Sequence, residues 1–98
     1  MKLSEMFDDS PSISLDRCKI TFDVQQLAAD NRTVADLRGW ILNRVPFTYQ
    51  EAEHDDEAGT LEFFTAHGEV TETELKQLQR LVANQGLAKY NPKLETFN

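Results

Sequence analysis

Few side chains in this 98-residue sequence could do chemistry: two histidines, His54 and His67, and a single cysteine, Cys18. His54 stands among acidic residues, a combination that can hold a metal ion or transfer protons. However, the run from Asp55 to Gly59 lacks the ligand order of a calcium-binding loop, and adjacent ligands on one short loop rarely converge. We therefore expect no metal and no cofactor, with a metal-dependent enzyme kept as an alternative.

Neither histidine is accompanied by a nucleophile motif. His67 precedes Gly68, and no serine or cysteine nearby has the pattern of a nucleophilic site. Cys18 lies two residues before Ile20 and four before Phe22, so in a strand it shares their apolar face. This predicts a buried small hydrophobe rather than a reactive thiol. We expect the protein not to be an enzyme.

The distribution of acidic charge is the most informative feature of the sequence. Seventeen Asp and Glu face ten Lys and Arg, giving a formal net charge of −7. Nine of the acids lie between Arg44 and Lys76, a stretch without Lys or Arg, so the rest of the chain is slightly basic. This acidity argues against direct binding to nucleic acid, which needs clustered Lys and Arg, and against docking on an anionic membrane.

Three interpretations compete for the acidic hairpin within that stretch. It is a solvated loop that keeps the protein soluble, a surface that recognises a basic partner, or the metal loop considered above. For the second, carboxylates would steer the partner and exposed aromatics would anchor it. The candidate partner-binding residues are Tyr49, Glu51, Glu53, Asp55, Asp56, Glu57, Glu62 and Phe64.

Periodicity predicts the strands that position these side chains. Apolar and polar residues alternate between 13 and 24, which predicts a strand, kinked or divided near Asp16 and Arg17. Residues 47–66 are predicted to form a hairpin whose arms alternate over 47–50 and 60–64, with residues 51–59 between the arms and Gly59 at φ > 0 in the turn. The adjacent Phe63 and Phe64 then point to opposite faces of the sheet.

Capping signals predict two main helices. Thr33 begins the first, which Pro46 ends, and Gly39 within it is expected where a neighbouring element approaches closely. Thr71 begins the second with a capping box, and Gly86 is expected to end it in the left-handed conformation. The predicted class is α+β: a small antiparallel sheet of three to four strands with both helices on one face, in the rough order β-α-β-β-α.

The predicted organisation is a flexible N-terminal arm over 1–12 and a single domain over 13–98, with an extended C-terminal tail from about 88. The beginning of the chain lacks the apolar region of a signal peptide, and no apolar run approaches the length of a membrane span. With a single cysteine, these features favour a cytoplasmic location.

We therefore predict a small acidic protein-binding module, an adaptor or inhibitor that occupies a basic surface of a partner protein. In the extreme form, its carboxylates imitate phosphates and block a nucleic-acid-binding surface. In general character such a protein resembles phage and plasmid proteins that block host nucleic-acid enzymes, although no motif identifies a family. The alternative from another class is an oligomeric structural or assembly subunit, in which the N-terminal arm, Phe64 and the Tyr90–Phe97 tail make self-contacts.

Overall fold

Antiparallel strands form the framework that positions the acidic hairpin. The computed structural model describes residues 11–98, which form six strands in two antiparallel sheets and four helices. The strands are β1 (Ser12–Ser14), β2 (Arg17–Thr21), β3 (Tyr49–Asp55), β4 (Thr60–Thr65), β5 (Glu69–Thr71) and β6 (Lys93–Phe97). The helices are α1 (Val24–Ala29), α2 (Val34–Leu42), α3 (Glu72–Val82) and α4 (Gln85–Ala88). The predicted α+β class is confirmed.

The main sheet has four strands in the order β3-β4-β2-β6, and β1 pairs with β5 in a small second sheet. The region predicted as one kinked or two short strands is divided into β1 and β2 at Leu15 and Asp16. The predicted order β-α-β-β-α is incomplete, because it lacks β5 and β6. The fourth strand of the main sheet comes from the C-terminal segment, which pairs with β2 in register from Arg17–Phe97 to Thr21–Lys93.

Helices α2 and α3 cover one face of the main sheet. Alternate residues of β2 and β4 point toward them, and the buried side chains of both helices lie in the same core cluster. Burial of this apolar surface is the main contribution to folding. Each of these core side chains is at most 5% exposed. The sheet contributes Cys18, Ile20, Leu61 and Phe63, and the two helices contribute Val34, Leu37, Ile41, Leu78 and Val82.

Both predicted helix starts are confirmed by reciprocal capping boxes. The Asp36 N–H donates to Thr33 Oγ1 at 3.3 Å, and the Thr33 N–H donates to Asp36 Oδ2 at 2.9 Å. The Glu74 N–H donates to Thr71 Oγ1 at 3.1 Å, and the Thr71 N–H donates to Glu74 Oε1 at 2.8 Å. Each box satisfies two backbone donors that otherwise lack a partner in the first turn.

Three predictions about the helices are wrong in detail. Helix α2 ends at Leu42, four residues before Pro46, in a turn in which the Arg44 N–H donates to the Ile41 carbonyl at 2.9 Å. Gly86 lies inside α4 and is not left-handed, because Asn84 caps that short helix immediately after α3. Beyond the adjacent residues and the backbone of α2 itself, no atom of residues 11–98 lies within 4 Å of where a Cβ on Gly39 would stand, so no close packing among them requires this glycine.

The C-terminal segment is held to the body by more than its strand pairing. Tyr90 is 2% exposed, and its hydroxyl donates to Asp30 Oδ2 at 2.7 Å. Lys89 Nζ lies 2.5 Å from the same oxygen, so both residues tie the end of α4 to the end of α1. Of the predicted N-terminal arm, residues 1–10 lie outside the described residues, and Ser12 already belongs to β1.

Within residues 11–98, no helix has the length and apolar character needed to cross a membrane.

Candidate functional site

The face of the main sheet opposite the helices collects most of the predicted acidic side chains. Strand register places its residues in three rows that run across β3, β4, β2 and β6. All twelve side chains are at least partly accessible. We call this surface the outer face; its rows are Glu51, Phe64, Arg17 and Phe97, then Glu53, Glu62, Lys19 and Glu95, then Asp55, Thr60, Thr21 and Lys93.

One side of the outer face carries four carboxylates, of which only one forms an ion pair with a cation of residues 11–98. We call Glu51, Glu53 and Asp55 on β3, together with Glu62 on β4, the acidic strip. Glu53 lies directly opposite Glu62, and like charges in that position destabilise a sheet. Glu62 is 3.2 Å from Arg17, whereas no cation of residues 11–98 forms an ion pair with Glu53. The fold therefore retains a pair of repelling carboxylates, of which Glu62 has a neutralising cation within residues 11–98 and Glu53 has none.

An aromatic row adjoins the acidic strip. Phe64 lies between Glu51 on β3 and Arg17 on β2, and it is partly exposed. The Arg17 guanidinium also lies 4.1 Å from the centre of the Phe97 ring, a cation–π contact. The predicted opposition of Phe63 and Phe64 is confirmed, since Phe63 is completely buried on the other face. The row thus offers apolar contact area beside carboxylates.

Tyr49 is not part of this surface. A bulge between Tyr49 and Glu51 adds one residue to β3, so that Tyr49 is paired with Thr65 on the helix-covered side. Its ring centre is 6.1 Å from that of the buried Phe63. Alternation alone would place Tyr49 and Glu51 on the same face, but the bulge places them on opposite faces. Phe64 shares the face of Glu51, so the expectation that Tyr49 and Phe64 anchor one partner on one surface is wrong.

The tip of the hairpin uses its acids to build the turn. Asp55 Oδ1 accepts hydrogen bonds from the N–H groups of Glu57 and Ala58 at 2.9 and 3.2 Å. Asp56 Oδ1 accepts from the Ala35 N–H at 3.1 Å, in the first turn of α2, where the helix dipole favours a negative charge. Asp56 therefore connects the hairpin to α2, and Glu57 lies in the turn rather than on the outer face.

The other side chains considered for chemistry do not assemble into a site. His54 Nε2 is 4.0 Å from Asp56 Oδ2, but within residues 11–98 no three His, Cys, Asp or Glu side chains are placed to share a metal ion. Cys18 is completely buried, and burial raises the pKa of its thiol to about 12. The thiol is therefore protonated at neutral pH, which agrees with its predicted place in the core.

Part of the outer face was missed by the sequence prediction. Lys93, Glu95 and Phe97 share it because β6 completes the sheet, whereas the sequence predicted only an extended tail there. The sequence carries little signal for this strand, since the apolar Leu94 between Lys93 and Glu95 fits a two-residue period but the polar Thr96 and the apolar Phe97 break it.

Comparison with known proteins gives no relative from which a function could be transferred. No protein-family model matches the chain, and searches of curated proteins and of solved structures found no match.

Proposed function

We propose that this protein is a small binding module whose acidic strip holds a basic surface of a partner protein, as an adaptor or inhibitor. The observation that carries the proposal is the direct opposition of Glu53 and Glu62 on an accessible sheet face, where Arg17 makes an ion pair with Glu62 and no cation of residues 11–98 makes one with Glu53. A Lys or Arg from a partner would convert this repulsion into attraction, so part of the binding free energy would come from relief of strain within the free protein.

Phe64 and the rigid sheet support the same proposal. Strand β4, which carries Glu62 and Phe64, is paired on both sides, and β3 is paired with it in register from Glu51 to Asp55, so the backbone that carries the carboxylates is arranged in advance and loses little freedom on binding. Phe64 supplies an apolar contact in the row next to Glu53, where the aliphatic part of a Lys or Arg side chain would pack. Accessible aromatic residues often anchor interfaces whose rims are charged.

Regular charge spacing favours a nucleic-acid-binding surface as the target. Every second residue of β3 points outward, so its carboxylates on one face recur about every 6.8 Å, and a nucleic-acid backbone likewise carries one negative charge per nucleotide at regular intervals. The strip thus presents a short row of regularly spaced negative charges. A protein groove built to neutralise phosphates would accept this pattern, and the module would then compete with nucleic acid.

The proposal is tested by titrating the isotope-labelled protein with a Lys- and Arg-rich peptide and following its backbone amide signals by NMR. We expect the largest shifts at Glu51, Glu53, Glu62 and Phe64, and weaker binding as salt rises. The double variant Glu51→Lys with Glu53→Lys should lose the interaction. Neither carboxylate makes a hydrogen bond or ion pair within residues 11–98, so the fold is retained.

The matched control is Glu57→Lys with Glu69→Lys, which changes the net charge equally at two exposed positions off the outer face. Loss of peptide binding in both double variants would show attraction by net charge alone and would refute the proposed site. Affinity capture from the native cell, eluted with salt, then identifies the partner as the protein retained by wild type and by the control but not by the Glu51/Glu53 variant.

A further inference from the structure

The two edges of the main sheet are built differently. Strand β3 is bent by its bulge and carries three outward carboxylates, and Arg38 Nη2 donates to its Ala52 carbonyl at 3.3 Å. Bulges and charges of one sign oppose pairing between copies. Strand β6 is regular over its five residues, and among residues 11–98 no strand pairs with its outer edge.

The hydrogen-bonding phase of β6 shows which groups its outer edge presents. The Phe97 carbonyl accepts from the Asp16 N–H at 2.8 Å, so it points toward β2. Backbone groups alternate in direction along a strand, and those of Lys93 and Glu95 therefore also point inward. The backbone groups of Leu94 and Thr96 point away from the sheet, where they are available to another strand.

We propose that a second copy of this chain pairs with this edge, β6 against β6 in antiparallel orientation, about a twofold axis at Leu94. In that register Leu94 faces Leu94 of the second copy as a hydrogen-bonded pair, because both present outward backbone groups. The Thr96 N–H reaches the carbonyl of Pro92, whose missing N–H is the only donor lost. The two main sheets become one sheet of eight strands.

Charge complementarity selects this register. A twofold axis at Leu94 places Lys93 opposite Glu95 of the second copy, and Glu95 opposite its Lys93. These are non-hydrogen-bonded positions, in which side chains approach most closely, and both residues lie on the outer face. Neither side chain makes an ion pair within residues 11–98. Two equivalent ion pairs therefore form from charges that are unpaired in the single copy.

A groove on the helix side of the same edge gives the second copy an apolar contact. It encloses about 300 Å³ and is lined by Gln79, Val82 and Ala83 of the end of α3 with Pro92 and Leu94 of the β6 segment. Leu94 of the second copy would lie beside Leu94 and over this groove. Pairing thus covers apolar surface on one face of the sheet and joins opposite charges on the other.

The proposal is tested by measuring the sedimentation of the wild-type protein and of charge-reversal variants at concentrations from micromolar to millimolar. Wild type should shift toward twice its mass of 11.2 kDa. In either single variant, Lys93→Glu or Glu95→Lys, residues 93 and 95 carry the same charge, so like charges face each other at both symmetry-related contacts. Each single variant should therefore weaken self-association about tenfold. The double variant K93E/E95K has the wild-type net charge and restores both pairs, so it should regain the association.

Hydrogen exchange locates the contact independently. The amides of Leu94 and Thr96 should become protected as concentration rises, while those of Ala52 and His54 on the β3 edge should not. A monomer at every concentration overturns the proposal. So does a dimer that is indifferent to Lys93→Glu, or one in which the β3 amides are protected instead. This test does not depend on the acidic strip, so its result is separate from that of the proposed function.

Discussion

Glu53 faces Glu62 across the β3–β4 pair, and within residues 11–98 only Glu62 of these two carboxylates makes an ion pair, with Arg17 at 3.2 Å. Cross-strand neighbours of like charge destabilise an antiparallel sheet, and opposite charges stabilise it. The position of Glu53 is therefore one at which stability and binding to a basic partner should respond in opposite directions to the same substitution.

The first prediction is that Glu53→Lys stabilises the folded protein while it weakens binding to a basic peptide. The new ammonium group pairs with Glu62, which should raise the free energy of unfolding by about 0.5 kcal/mol. Urea denaturation at low salt measures this gain. Glu57→Lys is the control, since Glu57 faces no carboxylate across the sheet. A Glu53→Lys variant that is less stable than wild type would show that Glu53 has a structural role instead.

The second prediction concerns Asp56, which connects the hairpin tip to α2. Asp56→Ala removes the acceptor of the Ala35 N–H and the negative charge at the start of α2, and should cost about 1 kcal/mol. Asp56→Asn keeps an acceptor and should cost less. Denaturant unfolding gives both values, and faster exchange of the Ala35 amide in the alanine variant locates the lost bond. Equal stability of all three proteins would contradict this role.

The third prediction is a pH dependence that originates at Asp30. Hydrogen bonds from Lys89 and Tyr90 hold the pKa of this carboxyl below its ordinary value. The unfolded chain therefore takes up a proton at a pH where the folded protein does not. The stabilisation is complete above the unfolded pKa, about 4, and is lost as pH falls through the lowered folded pKa.

Asp30→Asn should therefore be less stable than wild type near neutral pH, and the two proteins should converge in acid. Denaturant titrations across the acidic range measure the difference at each pH. Tyr90→Phe removes one of the two hydrogen bonds and keeps the ion pair with Lys89, so it should give an intermediate pH dependence. Wild-type and Asp30→Asn curves that stay parallel through the acidic range would show that Asp30 is not responsible.

Local signals in the sequence predict those parts of the structure that local chemistry determines. The capping box at Thr71 depends on residues three apart, and the opposite faces of Phe63 and Phe64 depend only on alternation. Long-range pairing is different, because the register of Lys93–Phe97 on β2 joins segments more than seventy residues apart. The hydrogen bond between Asp56 and Ala35 likewise cannot be predicted from the sequence, because it forms only when the hairpin packs on α2.

The misplaced aromatic of the candidate site has a similar cause. Alternation predicts that Tyr49 shares a face with Glu51, and the single extra residue of the bulge reverses it. A bulge without glycine, as here at Gln50, leaves no marker in the sequence. The accessible acidic hairpin and the outward Phe64 could therefore be predicted, whereas the extension of β3 to Asp55, the face of Tyr49 and the addition of the β6 residues could not.

The last prediction contrasts two glycines. Gly59 has φ of 73°, and a Cβ there would lie 2.6 Å from Val24 Cγ1 and 2.7 Å from the Phe22 carbonyl oxygen. Gly59→Ala should cost about 1 to 2 kcal/mol from backbone conformation alone, and more from the contact with the Phe22 backbone. Gly39 is in the middle of α2, and no atom of another element within residues 11–98 lies within 4 Å of where its Cβ would stand, so Gly39→Ala should stabilise the protein by about 1 kcal/mol. Thermal and urea unfolding of the two variants measure these opposite effects. A destabilised Gly39→Ala variant would reveal a contact at α2 that residues 11–98 do not supply.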